Sequence, residues 1–274
     1  MTNDPGLMTN KLSSGAVPSK LYTEHYFLGV CEGYQEFLSG EGMYLSQRLT
    51  EALAVAGIAQ GMAVLDVGCG RGEMLRHTTR LGARAFGIDY AEAAVRLSRR
   101  IATEVIDQGG EAGVYQASAL YLPFEAEIFD RVLMFDIVEH LYPEELALAL
   151  AEAHRVLKPG GRIIVHTAPN VWYDRYAYPV VRLVRVLMGQ GARYPKNPRE
   201  IIPENVHVHV NEQSMFSLGR NLRRSGFRQV KSWLSTPPQF RQENVIFRLA
   251  RWLLFTVPPF SWFFEREVFA VGEK

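Results

Sequence analysis

Three groups of residues in this chain are of a kind and spacing that could do chemistry. The first is the stretch from Val64 to Gly72, in which an apolar run ends in Asp66 and glycines follow at Gly68, Gly70 and Gly72. Glycines at alternate positions let the backbone bend sharply and let a ligand come close to it. A helical pattern beginning at Glu73 would offer free N–H groups beside them. The second is Asp89, 23 residues after Asp66 and at the end of another apolar run. A carboxylate there can accept both hydroxyls of a ribose; equally, it can cap the next helix. The third is a set of histidines, His140, His207 and His209. A neutral imidazole near pH 7 can take up a proton. His140 also has a structural reading, as a cap or packing residue for the helix after Pro143.

The spacing of the glycines bears on the ligand. A dinucleotide fingerprint requires Gly-x-Gly-x-x-Gly. Here the third glycine stands one residue early and its expected place holds Glu73. A carboxylate at that point would repel a pyrophosphate.

These residues need elements to hold them. Two helical patterns open the chain, 22–38 and 44–56, separated by Gly-Glu-Gly at 40–42. Strand and helix patterns then alternate, which predicts a parallel sheet flanked by helices. The strands are expected at 62–67, 84–89, 113–117, 130–136, 161–167, 227–233 and 266–272. The helices between are expected at 73–81, 91–108, 143–157 and 212–225. Lys158-Pro159-Gly160-Gly161 reads as a helix stop before a strand.

Bulk properties bound the answer. The 274 residues suit one large domain with insertions. Residues 1–20 are polar and lack an apolar signal core, so they read as a disordered tail ahead of a single domain, 21–274. The two cysteines, Cys31 and Cys69, form no metal-ligand pattern, and reduced thiols in the cytosol are expected. Cys69 reads as small filler within the glycine turn. The net charge of +1 hides an asymmetry: residues 1–150 hold 11 basic against 20 acidic residues, and residues 151–274 hold 19 against 9. The two halves are thus near −9 and +10, which reads either as solvated faces or as a basic half turned to an anionic substrate or membrane.

Asp66 with its three glycines resembles motif I of the class I S-adenosylmethionine-dependent methyltransferases. Three further stretches carry the same resemblance. One is Phe86-Gly87-Ile88-Asp89-Tyr90. Another runs from Ser118 through Leu122-Pro123-Phe124 to Phe129-Asp130. The last is Phe135-Asp136-Ile137-Val138-Glu139-His140-Leu141, joined to the Arg155–Gly161 segment. It is similar to small-molecule methyltransferases, those of quinone biosynthesis among them. Together they span about 62–167 in the family's order. The resemblance implies an α/β fold: a Rossmann-like, seven-stranded, doubly wound sheet with N-terminal helices and two helical, aromatic insertions.

It also implies roles. S-adenosylmethionine would be the cofactor and S-adenosylhomocysteine its product. Asp66 would hold the methionine amino group, with Gly68, Cys69, Gly70 and Gly72 beneath the methionine portion. Asp89 would take the ribose and Tyr90 would cover the adenine. Ser118 stands where the family commonly has an adenine-binding Asp, so Ala119 and Leu120 backbone groups are the alternative contact. Phe135 and Asp136 would lie at the sulfonium. His140, or one of His207 and His209, would act as base. The His207/His209 alternation places both on one face of an extended segment. Some quinone O-methyltransferases use carboxylate and His here, so Asp136, Glu139 and His140 are where a divalent ion would bind; the reading adopted has no metal.

The insertions, about 171–211 and 236–264, carry aromatics and arginines. Long connections of this kind commonly act as lids or binding loops. The uncharged run 252–264 has 13 residues and is too short to span a bilayer. A helix with arginines beside Trp, Phe and Leu can lie on a membrane surface, or serve as lid or homodimer contact. The expectation is a cytoplasmic methyltransferase, peripheral on a membrane in one reading. Its acceptor would be small or lipid-linked, with oxygen the first choice of target and carbon or nitrogen the alternative. A non-catalytic cofactor-sensing subunit and a membrane-surface module are readings of another class. No nucleic-acid motif is present, and the Asn-Pro-Pro-Tyr-like signature of adenine N-methyltransferases is absent from strand four.

Overall fold

A computed structural model describes residues 16–235 and 245–274. Its seven strands are β1 (Ala63–Val67), β2 (Arg84–Asp89), β3 (Ala112–Gln116), β4 (Phe129–Phe135), β5 (Leu157–Thr167), β6 (Arg228–Leu234) and β7 (Val268–Glu273). They form one sheet in the order β3-β2-β1-β4-β5-β7-β6. Each expected strand is present within a few residues.

The inner strands are apolar on both faces because helices cover both. Along β4, Val132 and Met134 join one core cluster while Leu133 joins the other. The first cluster packs against Leu146, Leu150 and Val156 of helix Pro143–Val156. The second packs against Leu49 and Ala52 of helix Gln47–Ala56 and Met74 of helix Glu73–Arg80. Chain order reverses at β1/β4, so β1 leads outward to β2 and β4 to β5. Such a switch point leaves a crevice at the carboxyl ends of the strands.

Two features differ from expectation. β7 runs antiparallel to both β5 and β6, so the sheet is mixed. Side-chain alternation is the same for either direction, and only the connection distinguishes them. The first helical pattern is broken into Glu24–Gly29 and Tyr34–Gly40. At the break Gly33 takes φ +75°, and the Arg71 guanidinium binds the carbonyls of Phe27, Cys31 and Glu32.

Of the expected tail, residues 1–15 lie outside the described residues; Val17 is buried and Ser19–Leu21 form a single 3₁₀ turn. The first insertion contains helix Tyr178–Leu187 followed by short turns, and the second contains helices Val245–Thr256 and Phe260–Phe264. The two meet through Trp172, whose ring stacks on Phe263 at 5.3 Å and lies 5.1 Å from Phe216. They therefore make one cap. No helix of the described residues is long and apolar enough to cross a membrane.

Candidate active site

A cavity of about 590 Å³ follows the carboxyl ends of the central strands. That is within the range for a small-ligand site. All of the expected cofactor and base residues line it except Gly72 and His207, and so does Glu139.

The turn after β1 bends because Gly68 (φ +78°) and Gly70 (φ +49°) adopt left-handed conformations. Both line the cavity, whereas Gly72 does not. A Cβ on Gly72 would meet Ser98 Cα at 2.8 Å, so this glycine serves the close approach of helix Glu73–Arg80 to helix Glu92–Asp107. Gly72 is thus a packing glycine outside the cavity lining, where a place beneath a ligand was expected. Cys69 is buried with its Sγ facing Gly87, as filler. Glu73 is paired with the buried Arg71. Its charge is therefore compensated, and the repulsion argument against a pyrophosphate is weaker than the sequence suggested.

Asp89 serves two amides. One oxygen accepts the Ala91 N–H at 2.9 Å and the other the Gly70 N–H at 3.2 Å. The capping and ligand readings thus share one carboxylate, which ties the glycine turn to the start of the next helix. Burial raises its pKa to about 6, against the pull of those amides. Asp66 is more isolated. It is 5% exposed, and no hydrogen bond to its carboxylate is found among the described residues. Burial, with the Glu73 and Asp89 charges nearby, raises its pKa to about 8. A buried acid without a partner is costly, and an ammonium group of a ligand would supply the missing charge. Ser118 Oγ accepts the Leu120 N–H at 3.2 Å and keeps its own proton to donate. Tyr90 donates to the Val17 carbonyl at 3.2 Å, closing the cavity wall with the N-terminal segment.

At the end of β4, Asp136 adopts φ +53°, a left-handed conformation that costs energy in a residue with a Cβ. Its carboxylate accepts from His166 Nδ1 at 2.8 Å and lies 3.1 Å from Arg48 Nη2. Burial opposes its charge, but Arg48 and then His166 hold it well below the usual carboxylate range. His166 is fully buried, with Nε2 3.8 Å from Glu267 Oε2, an ion-pair distance without a hydrogen bond. Burial lowers its pKa, yet Asp136 outweighs that and lifts it to about 9. His166 is therefore an imidazolium at neutral pH.

His140 is opposite in character. Its Nδ1 lies 2.9 Å from the Tyr22 hydroxyl and 3.1 Å from the Val208 carbonyl oxygen. Burial, followed by the neighbouring His209, lowers its pKa to about 3. The two imidazoles meet edge to face, 4.9 Å apart. Neither ring nitrogen of His209 takes a hydrogen bond among the described residues. His207 is elsewhere. Residues Asn205–Val208 form a helical turn, not a strand, so His207 is exposed outside the cavity while His209 is buried within its wall. A period near 3.6 separates two residues that a period of 2 would have aligned.

Glu139 is 1% exposed and accepts the Thr167 hydroxyl at 2.8 Å. Burial and then Asp136 raise its pKa to about 8. Glu139, His140 and His209 each bring a ligand atom within 4.8 Å of the others. This is a carboxylate-imidazole donor set suited to a divalent ion. It differs from the set considered in the sequence, because Asp136 is occupied by Arg48 and His166.

Several lining residues carried no sequence signal. Tyr22 stands just before helix Glu24–Gly29, Tyr26 and Phe27 lie on that helix, and Arg48 lies on helix Gln47–Ala56. Glu265 and Glu267 precede β7. Burial raises the Glu265 carboxyl to about 7, and its Oε2 has no partner. Glu265 and Glu267 flank the start of the expected strand 266–272, and nothing in their spacing marks them as facing a cavity.

Residues 65–165 match the family described as "Methyltransferase domain". The chain is 25% identical over 193 residues to a ubiquinone/menaquinone biosynthesis C-methyltransferase of Teredinibacter turnerae, an alignment that covers 67% of this chain and 74% of the relative. It is 37% identical over 149 residues to a ubiquinone biosynthesis O-methyltransferase of Nitrosococcus oceani, covering 54% of this chain and 55% of the relative. Among solved structures, a geranyl diphosphate C-methyltransferase from Streptomyces coelicolor A3(2) is similar in fold, with a TM-score of 0.56 at 18% identity. The match covers 94% of this chain and 89% of that one, which was solved with Mg²⁺, geranyl diphosphate and S-adenosyl-L-homocysteine.

Proposed function

For this chain, a class I S-adenosylmethionine-dependent methyltransferase, we propose O-methylation of a hydroxylated acceptor that carries an apolar portion. The observation that carries the reading is His140: a neutral imidazole whose Nδ1 faces a carbonyl and which lines the cavity. A hydroxyl must lose its proton as it is methylated, and a neutral amine makes no such demand before the methyl moves.

Bound S-adenosylmethionine supplies an electrophilic methyl group on a sulfonium centre. The residues fit that cofactor. Asp66 provides an unpaired carboxylate for its ammonium group. Asp89 keeps lone pairs for the ribose hydroxyls beyond the two amides it already holds. Ser118, Ala119 and Leu120 offer a hydroxyl and main-chain groups to the adenine. His140, neutral but weakly basic because of burial and His209, takes the acceptor's proton at Nε2 as the methyl moves, while Tyr22 and Val208 hold the ring in place. Asp136, held between Arg48 and His166, has its charge compensated by theirs and fixes the cavity wall at the end of β4. Phe255, Phe264, Ala168 and Pro169 give the acceptor end an apolar lining, with Glu265 as its polar contact. Positioning of the two reactants supplies the largest part of the acceleration.

The reading is tested by incubating the protein with cofactor and a prenylated catechol. The expected products are S-adenosylhomocysteine and a methyl ether identified by NMR. A product methylated on ring carbon would overturn it.

The Glu139, His140 and His209 cluster favours one second reading, in which these three hold a divalent cation that acidifies the acceptor hydroxyl. Protein dialysed against chelator separates the two readings. Undiminished turnover favours the imidazole alone, and a rate restored only by added Mg²⁺, Mn²⁺ or Zn²⁺ favours the cation.

A further inference from the structure

The helix Tyr178–Leu187 carries its apolar stripe on the wrong side for a buried element. Val180, Leu183, Val184 and Leu187 stand at i, i+3, i+4 and i+7, the spacing of one helical face. All four are exposed, Leu183 at 58% and Leu187 at 78%. Helix Val245–Thr256 repeats the feature with Leu249, Trp252 and Leu253, of which Trp252 is 54% exposed. Exposed apolar stripes of this kind mark an interaction site.

The charge carried by the two segments is of one sign, with Asp174 and Glu200 at the ends of the first and Arg199 paired with Glu212. From Arg175 to Arg199 the sequence holds six basic residues and no acidic one, and 245–264 holds Arg248 and Arg251 with no acidic residue. Arg175 and Arg248 are exposed. Basic side chains flanking a Leu/Val/Trp stripe are the composition of helices that lie in a lipid headgroup region. A two-fold contact with a second copy would bring this basic rim against its own image. The same cap reaches the active site, since Phe255 and Phe264 line the cavity.

We infer that the outer face of the cap, formed by the helices at 178–187 and 245–256, docks on an anionic lipid bilayer surface. The apolar stripes enter the headgroup boundary and the arginines meet lipid phosphates. Docked so, the acceptor end of the cavity lies beside the bilayer, and an apolar acceptor can pass into it without crossing water. This adds a delivery route to the proposed acceptor class, but the surface can be tested without turnover.

The test is vesicle flotation of the full chain. Vesicles of phosphatidylcholine and phosphatidylglycerol in about equal parts are compared with phosphatidylcholine alone. Wild-type protein is expected to float with the anionic vesicles, with affinity at least about tenfold higher than for the neutral ones. Leu183→Asp with Leu187→Asp, neither of them a cavity-lining residue, should lower that affinity about tenfold or more. Arg175→Glu with Arg248→Glu should weaken binding to anionic vesicles alone. Unchanged cofactor binding by calorimetry shows that the variants are folded. Absent flotation, or flotation that the variants leave intact, overturns the inference. So does a dimer in analytical ultracentrifugation that the Leu183/Leu187 variant dissolves, for the stripe is then a contact between copies.

Discussion

His140 Nδ1 lies 3.1 Å from the main-chain oxygen of Val208, and this contact decides which ring nitrogen carries the proton. A carbonyl oxygen can only accept, so Nδ1 carries the hydrogen and Nε2 keeps its lone pair. The Tyr22 hydroxyl at 2.9 Å then acts as a second, weaker acceptor.

It follows that His140→Ala should lower kcat by about 10- to 10²-fold, less than the usual worth of a positioned base because burial and His209 hold its pKa at about 3. Cofactor affinity should stay within about threefold, because Asp66 and Asp89 are untouched. Tyr22→Phe should cost far less, since Val208 still orients the ring. Steady-state kinetics beside calorimetry separates these outcomes. Full turnover in His140→Ala across pH 6 to 9 would remove the base assignment.

Asp89 holds the Gly70 and Ala91 amides at 3.2 and 2.9 Å and faces the cavity. Asp89→Ala leaves two N–H groups without an acceptor and removes the proposed ribose contact. Cofactor affinity should fall about 100-fold or more, given about 1.5–3 kcal/mol for each hydrogen bond to a charged group. Asp89→Asn should lose less. An unchanged dissociation constant in the Ala variant would contradict the ribose role.

Asp66 sets function against stability. Its carboxyl is raised to about 8 in the fold, from an ordinary value near 4 when unfolded. The folded state therefore holds an extra proton between those values, and stability falls as pH rises through that window. Asp66→Asn should stabilise the unliganded protein at pH 7 to 8 by about 1–3 kcal/mol in urea denaturation, while cofactor binding collapses. Binding by the wild type should release a proton, read as a dependence of calorimetric enthalpy on buffer. A destabilised Asn variant would show that Asp66 has a structural partner.

His166 gives a second pH dependence, set by an ion pair instead of an isolated acid. Its folded pKa of about 9 exceeds the unfolded value near 6.5. The stability it contributes is complete below the unfolded pKa and is lost as pH rises through 9. The Tm should drop between pH 7 and 10 in the wild type, and less in Asp136→Asn, where the imidazolium has lost its closest anion. Parallel Tm curves for the two proteins would argue against the pair.

Gly72 separates packing from ligand approach. Its φ is +86°, and a Cβ added there would stand 2.8 Å from Ser98 Cα, so Gly72→Ala meets backbone that cannot yield. The substitution should cost several kcal/mol, roughly 2–4, in denaturant unfolding. Gly68→Ala meets the flexible Ile137 Cδ1 at 2.9 Å, and should cost less stability but more cofactor affinity. Equal losses of stability would refute this distinction.

What the linear chain determined was local: the strand–glycine–helix unit at 63–80, the acid closing β2, and the helix ending at Val156 before β5. Hydrophobic period and turn residues act over a few positions, so they are legible without a fold. The same locality hid the rest. Arg48 reaches Asp136 across 88 positions, and Glu267 reaches His166 across 101. Neither leaves a trace in spacing, because charge pairing depends on distance in space. The His207/His209 pair looked symmetrical until a helical turn placed one outside and one in the wall. β7 reads as a strand in either direction, and only its neighbours made it antiparallel. The glycine turn was thus written in the sequence, whereas the neutral His140 and the charged His166 were decided by the partners that folding brought to each.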